Sequence, residues 1–310
     1  MHHRIAVVGA GRMARAHAGA WARLGLEVAV VVSPRRRPEL PEAPNARWAT
    51  SLDDVLADPT LTVVSVCTPT PSHASIAIAA LDAGKNVLLE KPIALTVPDA
   101  LSVSAAAERS PGVLMVAQVV RFFAGYSDLA DRVAADAIGT VRALRACRLS
   151  ATPEWAPWLA DEQQSGGMIV DFAIHDFDQA NHFLGTPVAV RSVRGPGTGI
   201  GAGFGTPVET TIEYADGGVA QVLSVADLPA DYPFRSTLEL VGSRGTDAVH
   251  SDAGDAFLAQ ARSFLCCVDA GQDSRRSPTA AAVDALRVAL AARDSLHSAA
   301  RIELPALPAR

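Results

Sequence analysis

Two carboxylates and two imidazoles share the stretch GGMIVDFAIHDFDQANHFLG at residues 166–185. Read as a helix at 100° per residue, Asp171, His175, Asp178 and His182 fall within about a 60° arc. Ile169, Phe172, Ala173, Phe177, Ala180, Phe183 and Leu184 fall on the other side. Three readings fit such a stripe: a solvated face, a metal site, or a catalytic face turned to a cleft. An imidazole titrates near ~6.5 when unperturbed, so His175 suits proton transfer at neutral pH. Asp171, one turn earlier on the same face, can orient His175 or hold a substrate hydroxyl. Asp178 and His182 extend the stripe beyond His175 and read as salt bridges or helix packing. Asp176 points into the apolar arc and calls for a buried partner.

A second motif lies at the start of the chain. In IAVVGAGRMARAHA (5–18) a strand-like run leads into Gly9-x-Gly11-x-x-Ala14 and then a helix. This is a dinucleotide fingerprint: Gly9 permits the tight turn, Gly11 admits a pyrophosphate to the backbone, and Ala14 allows close helix packing. The amides that open the helix, around Arg12 and Met13, would bind the phosphates. The competing reading of a His175/Asp178/His182 metal hydrolase leaves this fingerprint unexplained, and no metal site is expected.

The second strand discriminates between cofactors. An NAD enzyme usually ends it with Asp or Glu for the ribose 2′-hydroxyl. Here VAVVVSPRRR places Ser33 at that point, followed by Arg35, Arg36 and Arg37. Serine adds no repulsion and guanidinium groups suit a 2′-phosphate, so NADP is favoured over NAD.

These motifs must be carried by about two domains, given 310 residues. Hydrophobic residues make up 49 % and charged residues 19 %, enough for a large core. A net charge of −6 argues against a general nucleic-acid binder. No apolar run approaches the ~18–20 residues of a membrane span, and no signal peptide is evident. Four cysteines without a C-x-x-C pattern fit a reducing cytoplasm better than a disulfide framework or a zinc ribbon; Cys67 reads as a small buried residue.

Over the first 120 residues, short Val-rich strands alternate with helices, the pattern of a doubly wound parallel sheet. Beyond it come a helix over 126–135 and a strand over 141–150, and then the opening stretch. Longer strands follow over 188–194, 208–214, 219–225 and 236–241, with a hairpin turn at ADGG (215–218). Helices over 253–270 and 279–298 close the chain. The Gly-rich segment at 195–207 reads as a mobile loop or hairpin tip. The fold class is α/β: a doubly wound domain at 1–120, then an α+β domain at 121–310 with one open sheet.

Three further segments resemble the Gfo/Idh/MocA oxidoreductases. VSVCTPTPSHASIAIAALDAGKNVLLEKPIALT (64–96) carries T-P-x-x-x-H, A-G-K-x-V and E-K-P in the family's order. VAQVVRFFAGY (116–126) is similar to its R-F segment, and 166–178 to its G-G-x-x-x-D-x-x-x-H-x-x-D. LELVGSRGT (238–246) resembles its sheet-edge signature.

The resemblance implies an N-terminal Rossmann domain, a C-terminal domain with a mostly antiparallel sheet, and an active site between them. It implies Lys91, Asp171 and His175 as the catalytic set. Glu90, Thr68, Pro69 and His73 would lie near the nicotinamide and its ribose, and the Lys91–Pro92 bond would be cis. A helix residue bonding its own loop is the competing reading of His73. Arg121 would pair with acids at the domain junction, Gln118 would contact substrate or close the cleft, and Trp155 and Trp158 would offer aromatic faces to a sugar ring or serve packing alone. The sheet's open face would make a homodimer or homotetramer. The expected activity is hydride transfer between a nicotinamide and a hydroxyl or keto carbon of a sugar, polyol or related small molecule. Alternatives are a biliverdin-reductase-like reductase of another carbonyl or imine, and a non-catalytic nucleotide sensor.

Overall fold

The computed structural model describes residues 3–34, 40–153, 157–197, 205–251 and 254–306. It divides into two compact units, Met1–Phe122 with Asp255–Val283, and Phe123–Gly254 with Asp284–Arg310.

In the first unit the chain runs β1 (Ile5–Val8), α1 (Arg12–Arg23), β2 (Val28–Val32), β3 (Arg47–Ala49), α2 (Asp53–Leu56), β4 (Val63–Val66), α3 (His73–Asp82), β5 (Asn86–Glu90), α4 (Val97–Arg109) and β6 (Leu114–Ala117). The strands form one parallel sheet in the order β3-β2-β1-β4-β5-β6. Every residue of β1, β2, β4 and β6 is buried, as a sheet covered on both faces requires. The strand order reverses between β1 and β4. A doubly wound sheet receives its ligand at this switch point, outside the carboxyl ends of its strands.

The second unit holds α5 (Ala124–Ala134), β7 (Val141–Ala151), α6 (Glu162–Ser165), a π-helical turn at Ile169–Ala173, α7 (Ile174–Leu184), β8 (Pro187–Arg194), β9 (Val208–Tyr214), β10 (Val219–Leu228), β11 (Arg235–Gly242) and β12 (Thr246–Ser251). Its sheet has the order β12-β11-β7-β10-β9-β8-β13, with β13 at Ile302–Glu303. All its pairings are antiparallel except β7 with β10. Buried and exposed residues alternate along β9 and β11, so one face is packed and the other is open. Helix α7 packs on β7 and β10. The ADGG turn joins β9 to β10, with the Tyr214 amide donating to the Gly218 carbonyl at 3.0 Å.

A single cut at 120/121 does not describe this division, because helix α8 (Ala256–Ala270) returns to the first unit. Its Phe264 meets Trp21 of α1 edge to face at 6.2 Å, and Asp255 takes two bonds from Arg23 at 2.7 and 3.0 Å. Helix α9 (Thr279–Ser298) follows. The edge strands β3, β12 and β13 were not expected. They are short, and pairing rather than hydrophobic pattern defines them. Segment 198–204 of the expected Gly-rich loop lies outside the described residues.

Candidate functional site

The glycine loop sits at the switch point. Gly9 adopts φ +111°, and a Cβ there would stand 2.5 Å from the Cys67 carbonyl oxygen. The turn after β1 and the end of β4 therefore touch, and only glycine serves at that position. Gly11 is different: its φ of −88° suits any residue, and a Cβ would meet nothing within 4 Å. No described residue requires glycine there, so the open space is room for a ligand to reach the backbone. No side chain caps α1 and no acid stands in its first turn. That leaves the amides and the positive end of the helix dipole for a diphosphate, and the chain fits a dinucleotide. Arg12 is exposed and Met13 half-buried beside it.

Ser33 follows β2 and is buried, its carbonyl accepting the Trp48 indole N–H at 2.9 Å. Arg35, Arg36 and Arg37 lie outside the described residues. After β4, Thr68 accepts the Ser72 hydroxyl at 2.8 Å and Pro69 is exposed.

His73 is buried. Its Nδ1 lies 2.7 Å from the Pro92 carbonyl and its Nε2 2.9 Å from that of Thr68. Both ring nitrogens are turned to protein carbonyls. The residue expected beside the nicotinamide thus ties the loop after β4 to the loop after β5, and bonding its own loop is part of that role. Burial pulls its pKa below the ordinary histidine value, against the two carbonyls and Glu90, which favour the charged ring.

Strand β5 ends on Glu90, beside Ala117 of β6, and Lys91 follows half-buried. The Lys91–Pro92 bond is cis. Glu90 Oε2 accepts the Lys91 backbone N–H at 3.2 Å, and Oε1 lies 2.8 Å from His17 Nε2. Burial raises the Glu90 pKa, but the His17 bond and the charges of His17, Lys91 and His73 outweigh it and hold the carboxyl below its usual range. Burial likewise opposes charge on His17. The Cys67 sulfur and Glu90 overcome it, and its pKa is pushed up to about 10. The sequence alone does not mark His17 or its bond to Glu90. The only signal for them was a histidine on the apolar side of the fingerprint helix.

Gln118, next to Ala117, is buried, and among the described residues both its amide atoms are unpartnered. An unpaired buried amide is costly, and such a group at the carboxyl edge of the sheet points toward a ligand. Arg121 is also buried, and its Nη1 donates to the Arg276 carbonyl at 2.8 Å.

In the second unit, Asp171 lies within the π-helical turn and His175 in the first turn of α7, both half-buried. A uniform 100° step does not hold through a π turn, but its wider turn keeps Asp171 and His175, four residues apart, on one face. Asp178 is buried, whereas His182 is exposed against the Phe183 ring at 4.9 Å. Among the described residues, no three His, Cys, Asp or Glu are grouped to hold a metal ion. Asp176 has the buried partner its position called for, Arg148 of β7. Trp158 is half-buried in a short 3-10 turn, and Trp155 lies outside the described residues.

Comparison with known proteins decides the family. A model described as "Oxidoreductase family, NAD-binding Rossmann fold" matches residues 3–118 and "GFO/IDH/MocA C-terminal domain" matches 126–247. The chain belongs to the Gfo/Idh/MocA oxidoreductases. Within this family it is 30 % identical to the myo-inositol dehydrogenase Hyg17 of Streptomyces leeuwenhoekii, over 95 % of this chain and 97 % of that one. It is 27 % identical to a scyllo-inositol 2-dehydrogenase (NAD(+)) of Bacillus subtilis, over 79 % and 74 % of the two chains. Its fold matches GenD2 from gentamicin A biosynthesis, solved in complex with NAD, at TM-score 0.89 and 24 % identity, covering 98 % and 97 % of the two chains. As a Gfo/Idh/MocA member the chain is an NAD(P)-dependent oxidoreductase of the dehydrogenase and reductase class that acts on CH–OH groups. Among the described residues, no helix is long and apolar enough to cross a membrane.

Proposed function

We propose that this oxidoreductase interconverts a secondary hydroxyl and a ketone on a sugar, polyol or related compound, with Lys91, Asp171 and His175 as its catalytic set. The observation that carries the reading is the shared carboxyl edge of the parallel sheet. The open backbone at Gly11 and Lys91 after β5 both stand there, where such sheets take their ligands. The inositol dehydrogenases among the relatives support the substrate class.

When bound, the nicotinamide supplies the hydride acceptor or donor. The protein's own residues do the rest. The α1 amides hold the diphosphate, and Thr68, Pro69 and Glu90 line the nicotinamide end. His175 takes the hydroxyl proton in the oxidative direction and returns it in the reductive one. Asp171 orients the imidazole or the adjacent substrate hydroxyl. Lys91 polarises the developing oxyanion as a fixed cation.

Ser33 with Arg35, Arg36 and Arg37 favours NADP over NAD. The open face of the second sheet, with Arg145, Glu209 and Glu239 exposed on it, favours a homodimer or homotetramer. Parallel fluorescence titrations with NADPH and NADH test the cofactor reading, followed by a screen of polyols and sugars with the dinucleotide that binds. Tighter binding of NADPH, lost on replacing Arg35 and Arg36 with Ala, is the expected result. Preference for NADH overturns the NADP reading and leaves the enzyme class intact. Binding of neither overturns both. Light scattering that reports a monomer would remove the oligomer.

A further inference from the structure

Beneath the nucleotide loop, the first unit buries a polar relay that ends on Lys91. His17 stands on α1, six residues beyond Gly11. Its Nδ1 lies 2.8 Å from Ser65 Oγ on β4, and that same oxygen accepts the Trp21 indole N–H at 3.3 Å. Its Nε2 lies 2.8 Å from Glu90 Oε1, and Glu90 Oε2 accepts the Lys91 amide at 3.2 Å. His17 and Glu90 are 2 % and 5 % exposed, and the Phe257 ring stands 6.0 Å from the imidazole. Burying such a pair carries a desolvation cost, and well-packed apolar residues would hold α1 on the sheet as well or better. The relay thus does something that packing does not: it places one carboxylate at the end of β5 and uses both of its oxygens.

We infer that His17 is a positioning residue for Lys91, acting through Glu90 to fix the lysine's backbone amide and to keep one negative charge beside it. The role does not depend on the charge of the ring, since Nε2–H donates to Glu90 in the imidazolium and in the neutral tautomer protonated there. The inference rests on the reading of Lys91 as a catalytic group.

Two amide substitutions separate the two sides of the ring. The Gln amide nitrogen falls near the place of Nε2 and reaches Glu90. The Asn amide nitrogen falls near Nδ1 and reaches only Ser65. His17→Gln is expected to keep kcat within about threefold, with myo-inositol as the probe substrate. His17→Asn is expected to lose about tenfold to a hundredfold, the scale of a misplaced catalytic group, with the Kd for reduced dinucleotide unchanged. Hydrogen exchange at the Lys91 amide, read without substrate, should quicken in His17→Asn and not in His17→Gln. Because His17 acts through Lys91, adding His17→Asn to Lys91→Ala should cost no further turnover.

Equal kcat or equal amide exchange in the two variants overturns the inference, as does a further loss in the double variant. Lys91→Ala with full turnover instead overturns the reading of Lys91. Lys91→Ala inactive with His17→Asn fully active overturns the positioning role alone. Should His17→Asn fail to fold, Glu90→Asp takes its place. Its carboxylate, one methylene shorter, cannot span from His17 to the Lys91 amide, and unchanged kcat and exchange there count equally against the relay.

Discussion

Arg148 and Asp176 meet as a two-point ion pair, Nε to Oδ2 at 2.7 Å and Nη2 to Oδ1 at 2.8 Å, with side chains 2 % and 0 % exposed. Arg148 also stacks on Phe172 in the π turn, 5.7 Å from the ring centre, and on Phe234 at 5.6 Å. One guanidinium from β7 therefore grips the helix on both sides of His175. Removing either partner strands a buried charge, so Asp176→Ala is expected to cost about 3–5 kcal/mol in denaturant unfolding. Arg148→Met with Asp176→Leu should recover much of that stability, and a double-mutant cycle measures the coupling. A cost below about 1 kcal/mol for Asp176→Ala would mean that the pair is not closed in solution.

The two glycines of the fingerprint should respond differently. Gly9→Ala forces a Cβ against the Cys67 carbonyl at a positive φ, and a loss of about 2 kcal/mol or more is expected. Gly11→Ala meets no atom of the described residues, so its unfolding midpoint should stay within the effect of about 0.5 kcal/mol typical of a surface change. Its affinity for reduced dinucleotide should fall about tenfold or more, because the new methyl stands where the diphosphate approaches. Titration beside thermal melting checks both. An unaltered affinity in Gly11→Ala would put the dinucleotide elsewhere.

Lys91→Ala and His175→Ala should each bind reduced dinucleotide as the parent does and lose about 100- to 10,000-fold in kcat, the range of a general acid or base. Steady-state rates beside fluorescence titrations separate the two effects. Turnover near the parent rate in both variants would remove the assignment.

Stability should fall toward alkaline pH in a way that depends on His17. Its folded pKa, about 10, lies above the ordinary value of 6.5. Its contribution is therefore fully present below pH 6.5 and is lost as pH rises through about 10. Cys67, whose thiol burial pushes up, adds to the same alkaline loss. Glu90, held below its ordinary value of 4.5, contributes above that value and loses its contribution as pH falls further. Unfolding midpoints between pH 6 and 10 should decline more steeply in the parent than in His17→Gln. Parallel declines would show that His17 is not charged in the folded protein.

Much of this protein was legible in its residues. The alternation of Val-rich runs with helices specified the parallel sheet, because a strand buried on both faces must be apolar throughout. The Gly9-x-Gly11 spacing located the switch-point loop, and the strands at Val208–Tyr214 and Val219–Leu228 showed themselves by pattern and by their ADGG turn. The π turn did not show. It is a local widening that no composition marks.

What the sequence determined by itself is the class of each element and the motifs at its ends, since these depend on neighbours within a few residues. Tertiary structure decided which distant residues share a buried space. It returned α8 to the first unit, against Trp21 and Arg23. It turned both nitrogens of His73 to backbone carbonyls, joined Arg148 to Asp176, and ran a relay from His17 through Glu90 to Lys91. The physical reason is common to all of them. A buried charge or polar group must find its complement wherever packing places one, and residues 28 or 73 positions apart in the chain leave no periodic trace of that pairing.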